Sequence, residues 1–120
     1  MTLDDLCDRL ERLAPYWREG EAEHIPQCIS EARALPARKA EADTAQREAA
    51  EALARLAPAI SPEVQDHWRE LHRAAVRCEL ALAELANEER ALRFALSCEL
   101  WHARTAHWAT GVAKANAGEP

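Results

Sequence analysis

Apolar residues recur at intervals of three and four along most of this chain, a pattern typical of amphipathic α-helices. The first apolar stripe consists of Leu3, Leu6, Leu10, Leu13 and Trp17, with Cys7 and Ala14 beside it. Thr2 is suited to cap this helix, and Asp4 and Asp5 fall in its first turn, where the helix dipole favours acids. Pro15 is expected to kink or end it. We therefore predict helix 1 at about residues 2–18.

Gly20 is the natural break after helix 1. A second helical region is predicted at about residues 21–57, and it contains Pro26 and Pro36. Either proline is able to start a helix or to bend one, so the sequence leaves open whether helix 2 is continuous.

The third helix is predicted to be the longest, at about residues 62–110, because Ser61 and Pro62 form a good helix start and no Gly or Pro follows until Gly111. Residues 111–120 are expected to form a tail. The first part of this helix carries a heptad seam that should pack on neighbouring helices, formed by Val64, Trp68, Leu71, Ala75, Cys78, Leu82 and Leu85.

The end of helix 3 is apolar on two opposite sides. At roughly 100° per residue, one side carries Leu92, Leu96, Leu100 and Ala103. The other side, about 180° away, carries Phe94, Cys98, Trp101, Thr105, Trp108 and Val112. We call this second set the aromatic stripe. A bundle of few helices rarely surrounds the end of its longest member, so we expect the stripe to bind a partner; the alternative is that Trp101 and Trp108 are ordinary core.

These elements predict an all-α fold, an antiparallel three- to four-helix bundle or helical hairpin with one long C-terminal helix, in a single domain of residues 1–120. Composition agrees, since Gly, Phe and Tyr are scarce and Ala, Leu, Glu and Arg abundant. The net charge of −6, with basic residues interspersed among acids, argues against nucleic acid as a partner. We expect no membrane partner, a cytoplasmic location and four free thiols, because no long apolar run, basic leader or Cys-x-x-Cys pair occurs.

Candidate metal chemistry is sparse. Glu21 with His24 and Glu99 with His102 have the Glu-x-x-His spacing of di-iron bundles. Cys98, His102 and His107, with Cys7 or Cys28 as a fourth ligand, are a candidate zinc set. Buried thiols and solvated histidines are the alternative interpretation, and it is the one we adopt, so we predict no metal and no cofactor. No nucleophile with a nearby base and no glycine-rich phosphate loop is recognisable, so we predict no enzyme activity.

One segment resembles a known protein family, in addition to having a helical period. "SPEVQDHWRELHRAAVRCELALAELANEERALRFAL", residues 61–96, resembles the long C-terminal helix of the flagellar FlgN-type export chaperones. Trp68 and Leu71 match the Trp-x-x-Leu element of that family. Asn87 and Leu92 fit its Leu-Asn-x-x-Asn-Gly-x-Leu-type stretch, with Arg90 where the second Asn stands. Upstream, "REGEAEHI" (residues 18–25) is similar to the Gly-Asp-x-x-x-Leu start of the family's second helix.

The resemblance implies a small all-α cytosolic protein. Such a chaperone holds the helical termini of hook–filament junction proteins, on its C-terminal helix region, and delivers them to the type III export gate. A tyrosine that some members use at the gate has no counterpart, because the only tyrosine, Tyr16, is in helix 1. We therefore expect a protein-binding module that holds a helical segment of a client. The alternatives are a self-associating homodimer, an adaptor or inhibitor of mobile-element origin, and a metal-binding bundle.

Overall fold

The computed structural model describes residues 1–20, 23–56 and 62–118. These residues form three α-helices and one short 3-10 turn, with no strand: α1 (Leu3–Arg12), the turn (Ala14–Tyr16), α2 (His24–Leu56) and α3 (Pro62–Gly118). The predicted all-α fold with a long C-terminal helix is confirmed. None of the described helices combines the length and the apolar character needed to cross a lipid bilayer.

Helix α1 begins at the predicted cap. The hydroxyl of Thr2 accepts a hydrogen bond from the backbone N–H of Asp5 at 3.1 Å. The Asp5 carboxylate accepts one from the backbone N–H of Thr2 at 3.2 Å, which completes a capping box. This bond from the Thr2 backbone lowers the pKa of Asp5. The capping box fixes where the apolar stripe of α1 begins.

Helix α1 ends at Arg12, earlier than the predicted residue 18. Pro15 lacks the N–H that would continue the α-helical ladder, and the chain forms the 3-10 turn there instead. The indole N–H of Trp17 then donates to the carbonyl of Leu10 at 2.9 Å. Gly20 follows with a φ of 87°, a left-handed conformation that glycine adopts without strain.

Helix α2 is continuous, within the predicted bounds of about 21–57, and helix α3 extends beyond the predicted residue 110. Pro26 lies in the first turn of α2, where its missing N–H has no intrahelical partner, and Pro36 lies inside a continuous helix. Helix α3 passes through Gly111 and continues to Gly118, so the predicted tail is helical as far as described. Alanines at 113, 115 and 117 favour helix strongly enough to offset the cost of one glycine. The proposed cap Ser61 lies outside the described residues.

The chain divides into two compact units, one made of Met1–Ala34 with Glu89–Pro120 and the other of Leu35–Glu88. Helices α2 and α3 each contribute residues to both units. The division into units does not test whether the chain is one domain, so a single domain stays a prediction. In the first unit three helices supply one apolar core: Leu3, Leu6, Cys7 and Leu10 from α1, Ile25, Cys28, Ile29 and Ala32 from α2, and Leu92, Leu96, Leu100 and Ala103 from α3.

Two contacts place α1 alongside α3 in the first unit. Arg93 donates a hydrogen bond to the carbonyl of Met1 at 2.6 Å. The rings of Tyr16 and His107 lie 4.7 Å apart, so α1 and α3 run in the same direction. Helix α2 is tied to α1 by Arg33, whose guanidinium pairs with Asp4, Asp8 and Glu11.

In the second unit, α2 and α3 form a two-helix pair with few buried side chains. Only Leu35 and Leu85 are buried among its described residues. The predicted heptad seam is therefore only partly correct. Its members Leu71, Ala75, Cys78 and Leu82 are half-buried, whereas Trp68 is 39% exposed and stacked on His72. A pair of helices covers only one side of each helix. The half-buried positions of α2 in this unit are small, polar or aliphatic: Lys39, Ala42, Gln46, Ala49, Ala52, Leu53 and Leu56.

Candidate protein-binding surface

Helix α3 holds the three large rings of the aromatic stripe in solvent. Phe94 is 73% exposed, Trp101 64% and Trp108 70%. Val112 is 39% exposed, Thr105 is exposed and Cys98 is half-buried. The alternative that Trp101 and Trp108 are ordinary core is therefore wrong for this chain by itself.

The exposure follows from the way α3 is seated. Leu92, Leu96 and Leu100 face α1 and α2 and are at most 6% exposed. Successive residues turn by roughly 100°, so Phe94 stands about 200° from Leu96 and points away from that core. Among its described residues the first unit has two other α-helices, and their buried side chains form one core with the leucines of α3. The two apolar faces are thus one core face and one surface.

Beyond Ala103, α3 has no buried residue as far as Gly118. Trp108 and Val112 project from this last stretch. The hydroxyl of Thr105 is turned inward, because it donates to the carbonyl of Trp101 at 2.8 Å. Its hydrogen-bonding capacity is partly used within the helix, which makes the stripe between the two indoles less polar than its sequence suggests.

One side of the stripe borders an open groove between α1 and α3, with a volume of about 650 Å³. We call it the α1–α3 groove. Its lining is mainly apolar and includes two arginines but no Asp or Glu: Met1, Leu6, Arg93, Ser97, Leu100, Trp101, Arg104, Thr105 and Trp108. Trp101 and Trp108 thus belong both to the stripe and to the groove. The sequence did not predict this groove, because its other wall depends on α1 lying alongside α3.

The two arginines of the groove differ in how they are held. Arg93 donates to the Met1 carbonyl and lies 3.7 Å from a carboxylate oxygen of Glu89. Arg104 is exposed and makes no ion pair with any described residue. From Leu100 to Gly118 the chain contains Arg104 and Lys114 and no acid, although its net charge is −6. The end of α3 is a locally basic region of an acidic protein.

Several of the candidate metal ligands contact other side chains. Glu99 pairs with Arg18 rather than serving His102, and the His107 ring packs on Tyr16. The ring of His24 contacts the Cys28 sulfur, with Nε2 and Sγ 3.5 Å apart. Glu21 lies outside the described residues. Within residues 1–20, 23–56 and 62–118, no three such side chains converge on a position that would hold a metal.

Comparisons with known proteins give no match at any level: no family model, no curated protein and no solved structure is similar to this chain.

Proposed function

We propose that this protein is a non-enzymatic binding module that holds an α-helical segment of another protein against the aromatic stripe. The observation that carries the proposal is the exposure of Phe94, Trp101 and Trp108 on a helix whose opposite face is core. Large apolar side chains grouped on one face of a soluble protein usually mark an interaction surface.

The size of the surface supports the proposal. A covered aromatic side chain buries about 150–250 Å², so three rings about two-thirds exposed offer roughly 400 Å² of apolar area. This value is within the range of about 300–600 Å² for the largest apolar patch of an ordinary monomer, a patch that is often functional. The rings are spaced by seven residues, which suits the regular anchor spacing of an amphipathic helix laid along α3.

The resemblance to the FlgN-type export chaperones gives the proposal a more specific form. Trp68, Leu71, Asn87 and Leu92 carry that resemblance, and the family's client surface is on the same C-terminal helix region as the stripe. In this form the protein is cytoplasmic, its clients are the helical termini of hook–filament junction proteins, and their destination is the type III export gate.

The test compares Trp101→Ala and Trp108→Ala with Trp68→Ala, which removes an exposed indole of α3 outside the stripe. Proteins retained by the immobilised wild type are identified by mass spectrometry, and the purified partner is then titrated against each variant by calorimetry. We expect the two stripe variants to lose binding and Trp68→Ala to keep it, with the same far-ultraviolet circular dichroism in all four proteins. The proposal would be contradicted if the stripe variants bound the partner as tightly as the wild type, or if they lost their helicity.

Two further measurements separate the alternatives. Sedimentation velocity of the isolated protein at micromolar concentration distinguishes a free client surface, which gives a monomer, from a homodimer closed by the stripe. Direct titration with the C-terminal segments of hook–filament junction proteins tests the chaperone form by itself. Binding of a different protein would leave the module in place and remove the flagellar role.

A further inference from the structure

We infer that the segment held by this protein is an acidic amphipathic helix, whose apolar side packs on Trp101 and Trp108 in the α1–α3 groove while its carboxylates pair with Arg93 and Arg104. The inference rests on the proposed function and names the chemical class of the partner. Its support is the positive charge around the groove, an observation separate from the exposure of the rings.

The groove is lined mainly by apolar side chains, and the charged side chains at its edge are all positive. Met1 is exposed beside the two indoles, Leu6 and Leu100 line the groove as largely buried side chains, and both charged side chains in the lining are arginines. Arg104 has no carboxylate among the described residues to pair with. A guanidinium next to apolar surface and without a counter-ion is complementary to an acidic ligand, since arginine binds carboxylates through paired N–H donors.

The basic character extends along the rest of α3. Lys114 lies ten positions beyond Arg104, and no acid occurs between Leu100 and Gly118. A partner helix laid along this stretch would meet positive charge at both places. A helix rich in Glu or Asp would therefore be attracted and oriented by it, and a basic helix would be repelled.

The same charges disfavour a second copy of this chain as the occupant. Two copies joined stripe to stripe about a twofold axis would place the same basic surface on both sides of the interface. Each copy would bring Arg104 and Lys114 without an acid from its own stretch 100–118 to neutralise them. Because like charges facing each other across an interface are costly, an acidic segment of another protein is favoured.

The spacing of the indoles sets the register of the partner. Trp101 and Trp108 are seven residues apart, which corresponds to about 10 Å along the helix axis. Apolar side chains of a partner that recur at the same interval can pack beside both rings. Carboxylates on the flank of that helix would then lie next to the guanidiniums of Arg93 and Arg104.

The experiment uses two synthetic amphipathic peptides of about three heptads, with leucines at identical positions and with flanking residues that are all Glu in one and all Lys in the other. Each is titrated into the full-length protein, and binding is measured by calorimetry and by tryptophan fluorescence. We expect the Glu peptide to bind and the Lys peptide to show no measurable binding. Raising the NaCl concentration from about 0.05 to about 0.5 M should weaken the Glu peptide several-fold, because exposed ion pairs are screened.

The matched pair of variants is Arg104→Gln and Arg77→Gln. Both remove one exposed arginine of α3 that makes no ion pair with the described residues, and only Arg104 lines the groove. We expect Arg104→Gln to weaken the Glu peptide about fivefold and Arg77→Gln to leave it unchanged. Both variants should keep the circular dichroism of the wild type.

Three results would overturn the inference. Equal, salt-insensitive binding of both peptides would refute an acidic partner while leaving the helix-binding function intact. Failure of both peptides to bind would also refute it, and the stripe variants above would then decide the proposed function separately. A dimer in sedimentation that Trp108→Ala dissociates would identify a second copy as the occupant and overturn both proposals.

Discussion

A pair of substitutions two residues apart on α3 tests the assignment of its two faces. Leu96 is 1% exposed and belongs to the core of the first unit, whereas Phe94 is 73% exposed and belongs to the stripe. Leu96→Ala and Phe94→Ala both truncate a large apolar side chain to alanine on the same helix. A difference in the free energy of unfolding between the two variants therefore reports the face, since the helix is common to both.

The expected magnitudes follow from burial. Truncating a fully buried leucine removes its transfer free energy and leaves a cavity, at a cost of about 3 kcal/mol. Truncating a fully buried phenylalanine costs about 3–5 kcal/mol, so the roughly one-quarter of Phe94 that is covered accounts for about 1 kcal/mol. Alanine regains about 0.5 kcal/mol through its higher helix propensity, which leaves a net loss near 0.5 kcal/mol for Phe94→Ala. We therefore expect the two variants to differ by about 2.5 kcal/mol.

The assay is urea unfolding followed by circular dichroism at a helical wavelength, with the slope of the transition compared between variants. An unchanged slope shows that the denaturation midpoint reports stability rather than a change in the unfolded state. A loss of about 3 kcal/mol is a large fraction of the stability of an ordinary small protein, so the shift is easily measured. Equal losses in the two variants would mean that Phe94 is covered in solution, and would refute the separation of α3 into a core face and a surface.

Three further predictions concern other parts of the chain. Pro36→Ala should stabilise the protein by about 2 kcal/mol. Removing a proline from a helix interior gains about 3 kcal/mol, and up to about 1 kcal/mol is lost because the unfolded chain becomes less restricted. An unchanged melting temperature would refute this prediction. Arg38 donates a hydrogen bond to Glu88 at 2.7 Å, and this bond lowers the pKa of Glu88. The bond therefore stabilises the folded state above the ordinary pKa of glutamate, and this stabilisation is lost as the pH falls through the lowered pKa. Arg38→Gln should therefore lower the melting temperature at about pH 7 and have no effect at about pH 3, and an equal effect at both would contradict the ion pair. Burial raises the pKa of the Cys7 thiol, so mass spectrometry should show Cys7 alkylated by iodoacetamide after the half-buried Cys98, and the reverse order would be inconsistent with the core.

The parts of the fold that the sequence predicted well are those set by neighbours in the chain. Thr2 caps α1 because its hydroxyl reaches an N–H three residues on, and Pro15 ends that helix because it lacks a donor. The parts predicted less well depend on summed or distant effects. Gly111 is a poor helix former alone, yet the alanines around it carry α3 onward, and Pro36 is accommodated without ending α2.

The candidate site shows the same division. The aromatic stripe follows from the helical period alone, so all six of its residues could be named from the sequence. The groove beside it could not, because Met1 and Leu6 form its other wall only when α1 lies along α3. A local signal was nevertheless present. The absence of acids between Glu99 and Glu119, together with Arg104 three positions after Trp101, distinguishes this stretch from the rest of an acidic chain.

The exposed end of α3 connects the proposed binding to stability. Every residue from Arg104 to Gly118 is exposed, so apart from the ring contact of His107 with Tyr16 this described stretch adds little to the core, and its end is expected to fray. A partner packed on Trp108 would supply the missing apolar contacts and so stabilise the helix that presents the indole. Binding free energy would then be spent partly on helix formation, which lowers affinity and leaves the surface able to release its client. Under the proposed chaperone role, in which a client is held and later passed on, this moderate affinity would favour release more than a rigid groove would.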